Sequence, residues 1–492
     1  MKSTKPLNSA VIGSGIAGLA SAIRLASMGV KVVVYEKSST YGGKLGVWES
    51  DGYRFDTGPS LFTMPQYIKE LLIIDGLNDV DFDYDQLDIL CNYFWEDKTS
   101  VSAYSEREKF KEELRVKLGE NPNNIDSFLE DSKAKYQITN HVFLEKSLHK
   151  LSTYLRWETL KSMLRIRKVG VFKKMHTENT KQFSNPKSVQ FFDRFATYNG
   201  SNPYESPSTL NVIPHYEFGI GAFFPKKGMR SIVDALYAKA INMGVQFEFN
   251  TVINQITKLG NTYTVNNEDI NYNLLVCNMD IATASKGPLK TLIKTQNSHY
   301  SPSSSALIFY WGIKREFKEL DLHNIFFSAD YQKEFKSIFD NHTIYDDPTV
   351  YVQISSKLKK DDAPTKRENW FVMVNAPYVH GQDWDTLISA TKDNIISKLS
   401  RLLDENIQNL IEVEHILTPQ LIWDKTGSYK GALYGSSSNN RMSAFLRHPN
   451  FSKHHKGLYF CGGSVHPGGG IPLCLLSAKI TSDIIHNDFK IC

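Results

Sequence analysis

The sequence predicts an α/β protein: a parallel-sheet nucleotide-binding domain assembled from separate stretches of chain, with a mixed-sheet lobe and a helical subdomain. Three observations carry that prediction. The chain opens with a glycine-rich strand-to-helix turn, VIGSGIAGLA at Val11–Ala20. A second such turn, GLYFCGGSVHPGGGIPLCLLSAK from Gly457 to Lys479, stands near the other end. Between them, residues 105–200 hold few glycines and read as helical, whereas residues 300–415 alternate strands with a helix at Thr386–Leu403.

The first turn places Gly13, Gly15 and Gly18 in the spacing G-x-G-x-x-G. The first glycine permits the tight turn, the second lets the backbone approach a pyrophosphate, and the third lets helix pack closely on strand. The helix start then offers free N–H groups and a partial positive charge to an anion. Lys31–Tyr35 reads as the next buried parallel strand, and Glu36 ends it. A carboxylate there accepts hydrogen bonds from a ribose hydroxyl. This is a Rossmann-type unit. A secretory signal peptide is not expected, because the glycines interrupt the apolar run and Arg24 and Lys31 sit inside it.

The next stretch, YGGKLGVWESDGYRFDTGPSLF at Tyr41–Phe62, narrows the ligand. A nicotinamide-binding unit needs no glycine-rich continuation. A flavin dinucleotide lies extended and needs more backbone along its length, so Gly42, Gly43 and Gly58 read as points of close approach.

Size and composition set bounds. A chain of 492 residues allows two or three domains. With 57 basic against 53 acidic residues it carries no nucleic-acid footprint. The five cysteines (Cys91, Cys277, Cys461, Cys474, Cys492) are scattered, without a C-x-x-C pair, which fits a reducing cytosol without a disulfide framework. No apolar run is long enough for a transmembrane helix. The 28 Phe and 24 Tyr serve either as ordinary core or as the lining of a large apolar cavity.

Along the chain, Asn121-Pro122 marks a break followed by a helix start. Leu151–Met175 is apolar and basic at once, and between His141 and Gln182 ten Lys/Arg stand against three Glu. Such a segment is either a solvated helical face or a basic amphipathic helix on an anionic membrane surface. The nucleotide unit resumes near Phe224, with a helix over Ser231–Met243 and Gly244 as its C-cap. Strands follow at Val245–Phe249, Thr251–Ile253 and Leu274–Asn278. Another strand, Leu458–Cys461, leads into the second glycine turn, and a parallel sheet brings both turns to one ligand.

Together these stretches resemble the bacterial carotenoid (phytoene) desaturase family, within the flavin amine oxidase-like superfamily. The resemblance covers nearly the whole chain. It rests on VIGSGIAGLA, GGKLGVWESDGYRFDTGPSLFTMP, TYNGSNPYESP, FFPKKGM, SSSALIFYWGI and FCGGSVHPGGGIPLCLLSAK. The last is the most specific. Two departures stand in it: Gly462-Gly463 where the family usually has Gly-Ala, and Leu473 where it usually has Gly. They bear on the pocket beside the flavin ring rather than on flavin binding.

The resemblance implies FAD as cofactor. Gly13, Gly15, Ile16, Ala17 and Gly18 would hold the pyrophosphate, Glu36 would meet the adenosine ribose, and Lys37 would also be a cofactor-binding residue. Gly43, Lys44, Gly58, Pro59 and Ser60 would run along the flavin, and the Val252 backbone would meet the adenine. Gly463, Ser464, Ile471 and Pro472 would close the flavin from the C-terminal side, with the helix near Leu473 aiming its positive end at the ring. On this reading residues 1–95, 214–300 and 416–492 form the FAD-binding domain, residues 96–213 a helical, membrane-facing lid and part of the substrate site, and residues 301–415 the substrate lobe.

The implied reaction removes two hydrogens from a long polyene, so the cofactor does the hard chemistry and few catalytic side chains are needed. Asp193 and Arg194 are the candidates near the ring, against the alternative of a structural ion pair. His466 reads as a structural tie for the glycine turn rather than a base. The expected partners are a carotenoid and, because a carotenoid resides in lipid, the inner face of the cell membrane, met peripherally from the cytoplasm. PSLFTMP and Leu473 point to the branch that makes a 3,4 double bond in 1-hydroxylated carotenoids derived from γ-carotene. The alternatives are desaturation of phytoene to neurosporene or lycopene, isomerisation or saturation on the same fold, an amine oxidase, and a non-catalytic prenyl-lipid escort.

Overall fold

The computed structural model describes residues 7–140, 144–150, 169–293, 301–439 and 447–491. Asn8–Ile12 (β1) and Lys31–Tyr35 (β2) are neighbouring parallel strands. Ala10, Val11 and Val34 on them are fully buried, as strands covered on both faces require. Gln246–Glu248 (β10), Leu274–Cys277 (β13) and Leu458–Phe460 (β19) complete a five-stranded sheet in the order β10-β2-β1-β13-β19, every pairing parallel. Stretches from the beginning, middle and end of the chain thus meet in one sheet. Helix α1 (Ile16–Ser27) buries Leu19, Ala20 and Ile23 and packs on the C-terminal helix Ile471–Phe489.

The strand expected at Thr251–Ile253 is loop. Asn250 takes a left-handed conformation (φ 54°) and turns the chain off the sheet. The Asn250 and Thr251 amides then donate to the carbonyls of Ser38 and Glu36, at 3.0 and 2.9 Å. Pairing resumes only in a small antiparallel ribbon, Ile256–Leu259 (β11) with Thr262–Val265 (β12).

The second lobe is a seven-stranded mixed sheet. Its order is Ile411–Leu417 (β18), Ser305–Ile313 (β14), Glu368–Ala376 (β17), Val350–Ile354 (β16), His323–Phe326 (β15), Ile89–Phe94 (β7) and Ser100–Tyr104 (β8). The β15–β7 pairing is parallel and the rest antiparallel. Strands β7 and β8 come from stretches read as nucleotide domain and lid, so the lobe is not confined to residues 301–415. One face packs Phe309, Trp311, Trp370 and Val372 against Ile395 and Leu399 of the helix Trp384–Leu403. The other face carries Tyr310 and Phe371, covered in part by the hairpin Val47–Ser50 (β3) and Tyr53–Asp56 (β4). A three-stranded sheet is formed by Phe62–Thr63 (β5), Ala222–Pro225 (β9) and Tyr84–Gln86 (β6), and α2 (Gln66–Leu72) follows β5.

The helical subdomain begins with α3 (Arg107–Leu118), ended by Gly119 at φ 63°, and α4 (Pro122–Thr139), capped by the Asn121 side chain accepting from the Asn123 amide. Helices Met175–Gln182 and Pro186–Asp193 follow, joined by aromatic packing in which the Phe183 and Phe192 rings stack at 4.5 Å. Residues 151–168 of the apolar, basic run lie outside the described residues. No described helix is long and apolar enough to cross a membrane.

Arg54 on β4 joins the parts. Its guanidinium donates to Asp56 at 3.0 Å and to Asp362 of the lobe at 3.2 Å, and both carboxylates are buried. Asp56 also accepts from the Met229 and Arg230 amides at 2.8 and 3.0 Å, fixing the turn before the helix Ser231–Asn242. Removing one partner of a buried ion pair leaves the other charge uncompensated, at a cost of about 3 kcal/mol. Asp362→Ala should therefore unfold at clearly lower denaturant than the parent protein; an unchanged midpoint would show that Arg54 does not hold the lobe.

Candidate functional site

The two glycine turns lie on either side of Asn278, the residue after β13. The Asn278 carboxamide donates to the Gly13 carbonyl at 3.3 Å. A Cβ on Gly15 would come within 3.1 Å of its Nδ2, and one on Gly462 within 2.7 Å of its Oδ1. Gly13 itself sits at φ 97°, where side chains are strained. A Cβ on Gly18 would lie 2.0 Å from the Gly13 carbonyl oxygen, so close helix–strand packing requires glycine there.

The Gly42–Gly43 loop folds back onto this turn. The Gly42 amide donates to the Ser14 carbonyl at 3.0 Å, and a Cβ on Gly43 would stand 3.2 Å from the Gly15 Cα. A Cβ on Gly58 would fall 2.0 Å from the Lys44 carbonyl oxygen. Both helix starts lack a side-chain cap and an acidic residue in the first turn: α1 after Gly15 and the C-terminal helix after Gly470. Their first free N–H groups, at Ile16, Ala17 and Gly18 and at Ile471 and Leu473 on either side of Pro472, make two positive helix ends. A Cβ on Gly470 would meet nothing within 4 Å, so there is open space before that helix. This donor set and cradle fit an extended dinucleotide.

Glu36 is buried. Its carboxylate accepts from the Ser14 amide and hydroxyl, both at 2.8 Å, and from the Ser38 amide at 2.9 Å. Oε2 takes both Ser14 bonds, and Oε1, with one bond from Ser38, retains acceptor capacity. The loop carrying Val252 runs against the same strand end, with the Val252 carbonyl accepting from Asn266 Nδ2 at 2.8 Å. Lys37 donates to the Asp424 carbonyl at 2.8 Å. Lys44 donates to the Leu433 carbonyl at 2.8 Å. Burial holds its ammonium below the usual range, opposed by the nearby Asp280 and Cys474.

On the C-terminal side a Cβ on Gly463 would come within 3.3 Å of the Gly469 Cα. Ser464 Oγ accepts from the Ile281 amide at 2.9 Å. Two residues here escaped the sequence reading. Asn278 ends a predicted strand, and only the β1-β13-β19 order reveals its place between the turns. Arg447 donates to the Gly463 carbonyl at 3.1 Å and to Asn199 Oδ1 at 2.9 Å, with no local sequence signal. His466 Nε2 lies 2.9 Å from the Lys146 carbonyl, and its own carbonyl accepts from Asn450 and Ser477, both at 2.8 Å. Burial pushes its imidazole down to about 4, and these ties are those of a structural residue.

Asp193 and Arg194 are adjacent in sequence but enter different networks. Asp193 receives Asn179 Nδ2 at 2.8 Å and meets His176 Nδ1 at 2.6 Å, and burial raises its carboxyl above the ordinary value. Arg194 pairs with Glu217 at 3.1 Å, donates to the Tyr198 hydroxyl at 3.0 Å, and lies 5.1 Å from the Tyr93 ring centre. The Tyr198 hydroxyl in turn donates to Glu217. Arg194 faces the layer where Ser60 is found: the Tyr351 hydroxyl donates to Ser60 Oγ at 2.9 Å and lies 2.7 Å from His323 Nδ1.

A side chain at position 15 would fill the space in front of α1. Gly15→Leu should purify colourless, without the flavin absorption band, while its far-ultraviolet dichroism stays that of the parent; a yellow, fully loaded variant would remove this turn from the cofactor site.

Comparison with known proteins agrees with this geometry. The family model described as flavin containing amine oxidoreductase matches residues 16–486. A 1-hydroxycarotenoid 3,4-desaturase from Flavobacterium sp. (strain P99-3) is 48% identical, covering 97% of this chain and 98% of that protein. A 4,4'-diapolycopene oxygenase from Methylomonas sp. is 30% identical over 98% of each. Among solved structures, cyclohexylamine oxidase from Brevibacterium oxydans IH-35A superposes with a TM-score of 0.62 at 13% identity, covering 99% of this chain and 100% of that one. Matched from the first glycine turn to the C-terminal helix, the chain belongs to the flavin-containing amine oxidoreductase family and is an FAD-dependent oxidoreductase.

Proposed function

We propose that this protein desaturates a carotenoid, forming the 3,4 double bond next to a terminus hydroxylated at carbon 1. The observation that carries the reading is the 48% identity, over almost the full length, to a 1-hydroxycarotenoid 3,4-desaturase. Relatives whose names give other carotenoid reactions stand at 30% and 28%.

FAD, when bound, supplies the two-electron acceptor that no side chain offers. The chain's own residues bind and align. Gly15, Ile16, Ala17 and Gly18 offer amides to the pyrophosphate, Gly13, whose own amide donates to the Tyr35 carbonyl, shapes the turn that brings them there, Glu36 accepts from the ribose, and Val252 lies at the adenine end. Gly43, Lys44, Gly58, Pro59 and Ser60 border the flavin on one side, and Gly463, Ser464, Ile471 and Pro472 on the other. The sheet face bearing Tyr310, Phe371 and Met373 supplies apolar surface for a polyene. Of the two candidate side chains, Arg194 stands in the layer of Ser60 and Tyr351, and Asp193 positions His176 and Asn179. The test is expression in two carotenoid-producing hosts, one making only phytoene and one making 1'-hydroxy-γ-carotene. A single red shift of the pigment in the second host alone is the expected result. Colour in the phytoene host would make the protein an early, multistep desaturase, and carotenoid bound without conversion would make it an escort.

The protein works on the inner face of the cell membrane, held there peripherally. The support is the surplus of basic residues between His141 and Gln182 and the 67% exposure of Phe172 at its described end. Basic residues near an anionic surface each add about 1 kcal/mol of attraction. Replacing Arg165, Arg167 and Lys168 by Gln should reduce co-sedimentation with phosphatidylserine vesicles by at least about tenfold; unchanged binding would take the membrane role away from this segment.

A further inference from the structure

The sheet face beyond Ser60 carries buried polar atoms that the protein leaves unsatisfied. His323 on β15 lies opposite Gln353 on β16. Tyr351, two residues from Gln353, shares that face. On the next strand Tyr93 pairs with Ile325, two residues from His323. Arg194 reaches the same layer from the helical side, 5.1 Å from the Tyr93 ring centre. In this group His323 Nε2, Gln353 Nε2, the Tyr93 hydroxyl and Arg194 Nε are buried without a hydrogen-bond partner among the described residues. Buried polar atoms in folded proteins are nearly always paired, because an orphan costs about 1–3 kcal/mol. Four orphans converging from three strands and a helix mark a place where a ligand completes the bonding.

The hydrogen bonds define what that ligand must be. The Tyr351 hydroxyl has one proton, and it donates that proton to Ser60 Oγ at 2.9 Å. His323 Nδ1, 2.7 Å from the same hydroxyl, is therefore the donor of that second contact. Its Nε2 is left as a bare acceptor. Burial, with the Arg194 charge beside it, pushes the imidazole down to about 3, so the ring is neutral at ordinary pH. The Arg194 charge is already matched by Glu217 at 3.1 Å, so the layer has no free charge with which to select an anion. What remains is the acceptor His323 Nε2, donors on Gln353 and Arg194, and the Tyr93 hydroxyl, which both donates and accepts. An alcohol, which gives one hydrogen bond and accepts two, complements that set. A hydrocarbon terminus leaves all of it unpaired.

Resting on the function proposed above, we propose that His323 Nε2 accepts the hydroxyl proton of the substrate's hydroxylated terminus, with the Gln353 amide donating to its oxygen. The position suits the chemistry. The carbon bearing the hydroxyl is next but one to C3, so the hydroxyl must dock close to the flavin. Ser60, implied to border the flavin, is tied to His323 through Tyr351 alone. A site built to hydrogen-bond a hydroxyl discriminates strongly against the analogue that lacks it. These residues thereby set which end of the carotenoid is desaturated.

The test compares the flavin-loaded parent with His323→Phe and His323→Gln, using a 1-hydroxylated carotenoid and the same polyene without the hydroxyl, both dispersed in detergent. Binding is read from quenching of tryptophan fluorescence and conversion from chromatography. The parent should prefer the hydroxylated substrate in both. His323→Phe should lose at least about tenfold in affinity for it, one neutral hydrogen bond's worth, and none for the hydroxyl-free polyene. His323→Gln, whose amide oxygen reaches a similar point, should recover part of the preference. If His323→Phe keeps the parent's flavin content and its preference, the inference is overturned while the function stands. If the parent itself shows no preference, the proposed function fails. Should His323→Phe not accumulate as a flavoprotein, Gln353→Met removes the facing donor and is judged by the same preference.

Discussion

The structure depends on the crowding around one carboxamide. Asn278 emerges from β13 between β1 and β19, and its side chain reaches the Gly13 carbonyl and lies within hydrogen-bonding range of the Cys461 thiol. Any side chain at Gly18 or Gly462 would collide with the neighbouring turn or with Asn278 itself. Two strand-to-helix turns from opposite ends of the chain can share one ligand only if they approach this closely. That requirement sets the strand order, and the strand order obliges the chain to leave the nucleotide sheet and return to it. The mixed-sheet lobe and the helical subdomain occupy those excursions. Arg54, Asp56 and Asp362 hold the lobe against the sheet where the excursions meet.

A second tension runs through the lobe. A face intended for a polyene should be apolar, yet this one buries Arg194 and Glu217 as a pair. Exchanging such a pair for apolar residues is often neutral or stabilising, so stability alone gives no reason to keep it. Its position gives one. The pair contacts Tyr198 and Tyr93 and sits beside His323, so it organises the polar layer at the inner end of the face. Further along that face Phe371, Met373 and Tyr310 supply apolar and aromatic surface.

The legible parts of the fold were those in which local pattern and global constraint coincide. The glycines of Val11–Ala20, the apolar run Lys31–Tyr35 and the helix Trp384–Leu403 each carry their periodicity or their turn chemistry in consecutive residues. Thr251–Ile253 was misread because β-branched residues look like a strand wherever they stand, whereas the left-handed Asn250 and the bonds to Ser38 and Glu36 take them off the sheet. β7 and β8 join the lobe by pairings far apart in sequence, β7 with β15, which no short window contains. Arg447 and Asn278 matter through contacts with glycine turns distant along the chain. Asp193 and Arg194 look like one catalytic pair in sequence. They stand at the junction between a helix and a tighter helical turn, and that junction sends their side chains to different neighbours.

The charge state of the site follows from the same burial. Desaturation passes positive character to the polyene before a proton leaves it, so uncompensated cations nearby would oppose the reaction. Here burial keeps His323 and His466 neutral, at about 3 and about 4, and lowers the Lys44 ammonium. Arg194 remains charged but stands against Glu217. The backbone adds positive potential at the two helix starts behind Gly15 and Gly470, on the side of the dinucleotide. A protein that supplies alignment more than acid–base chemistry needs that separation: cationic ends for the cofactor, and a neutral layer for a substrate that becomes cationic in passing.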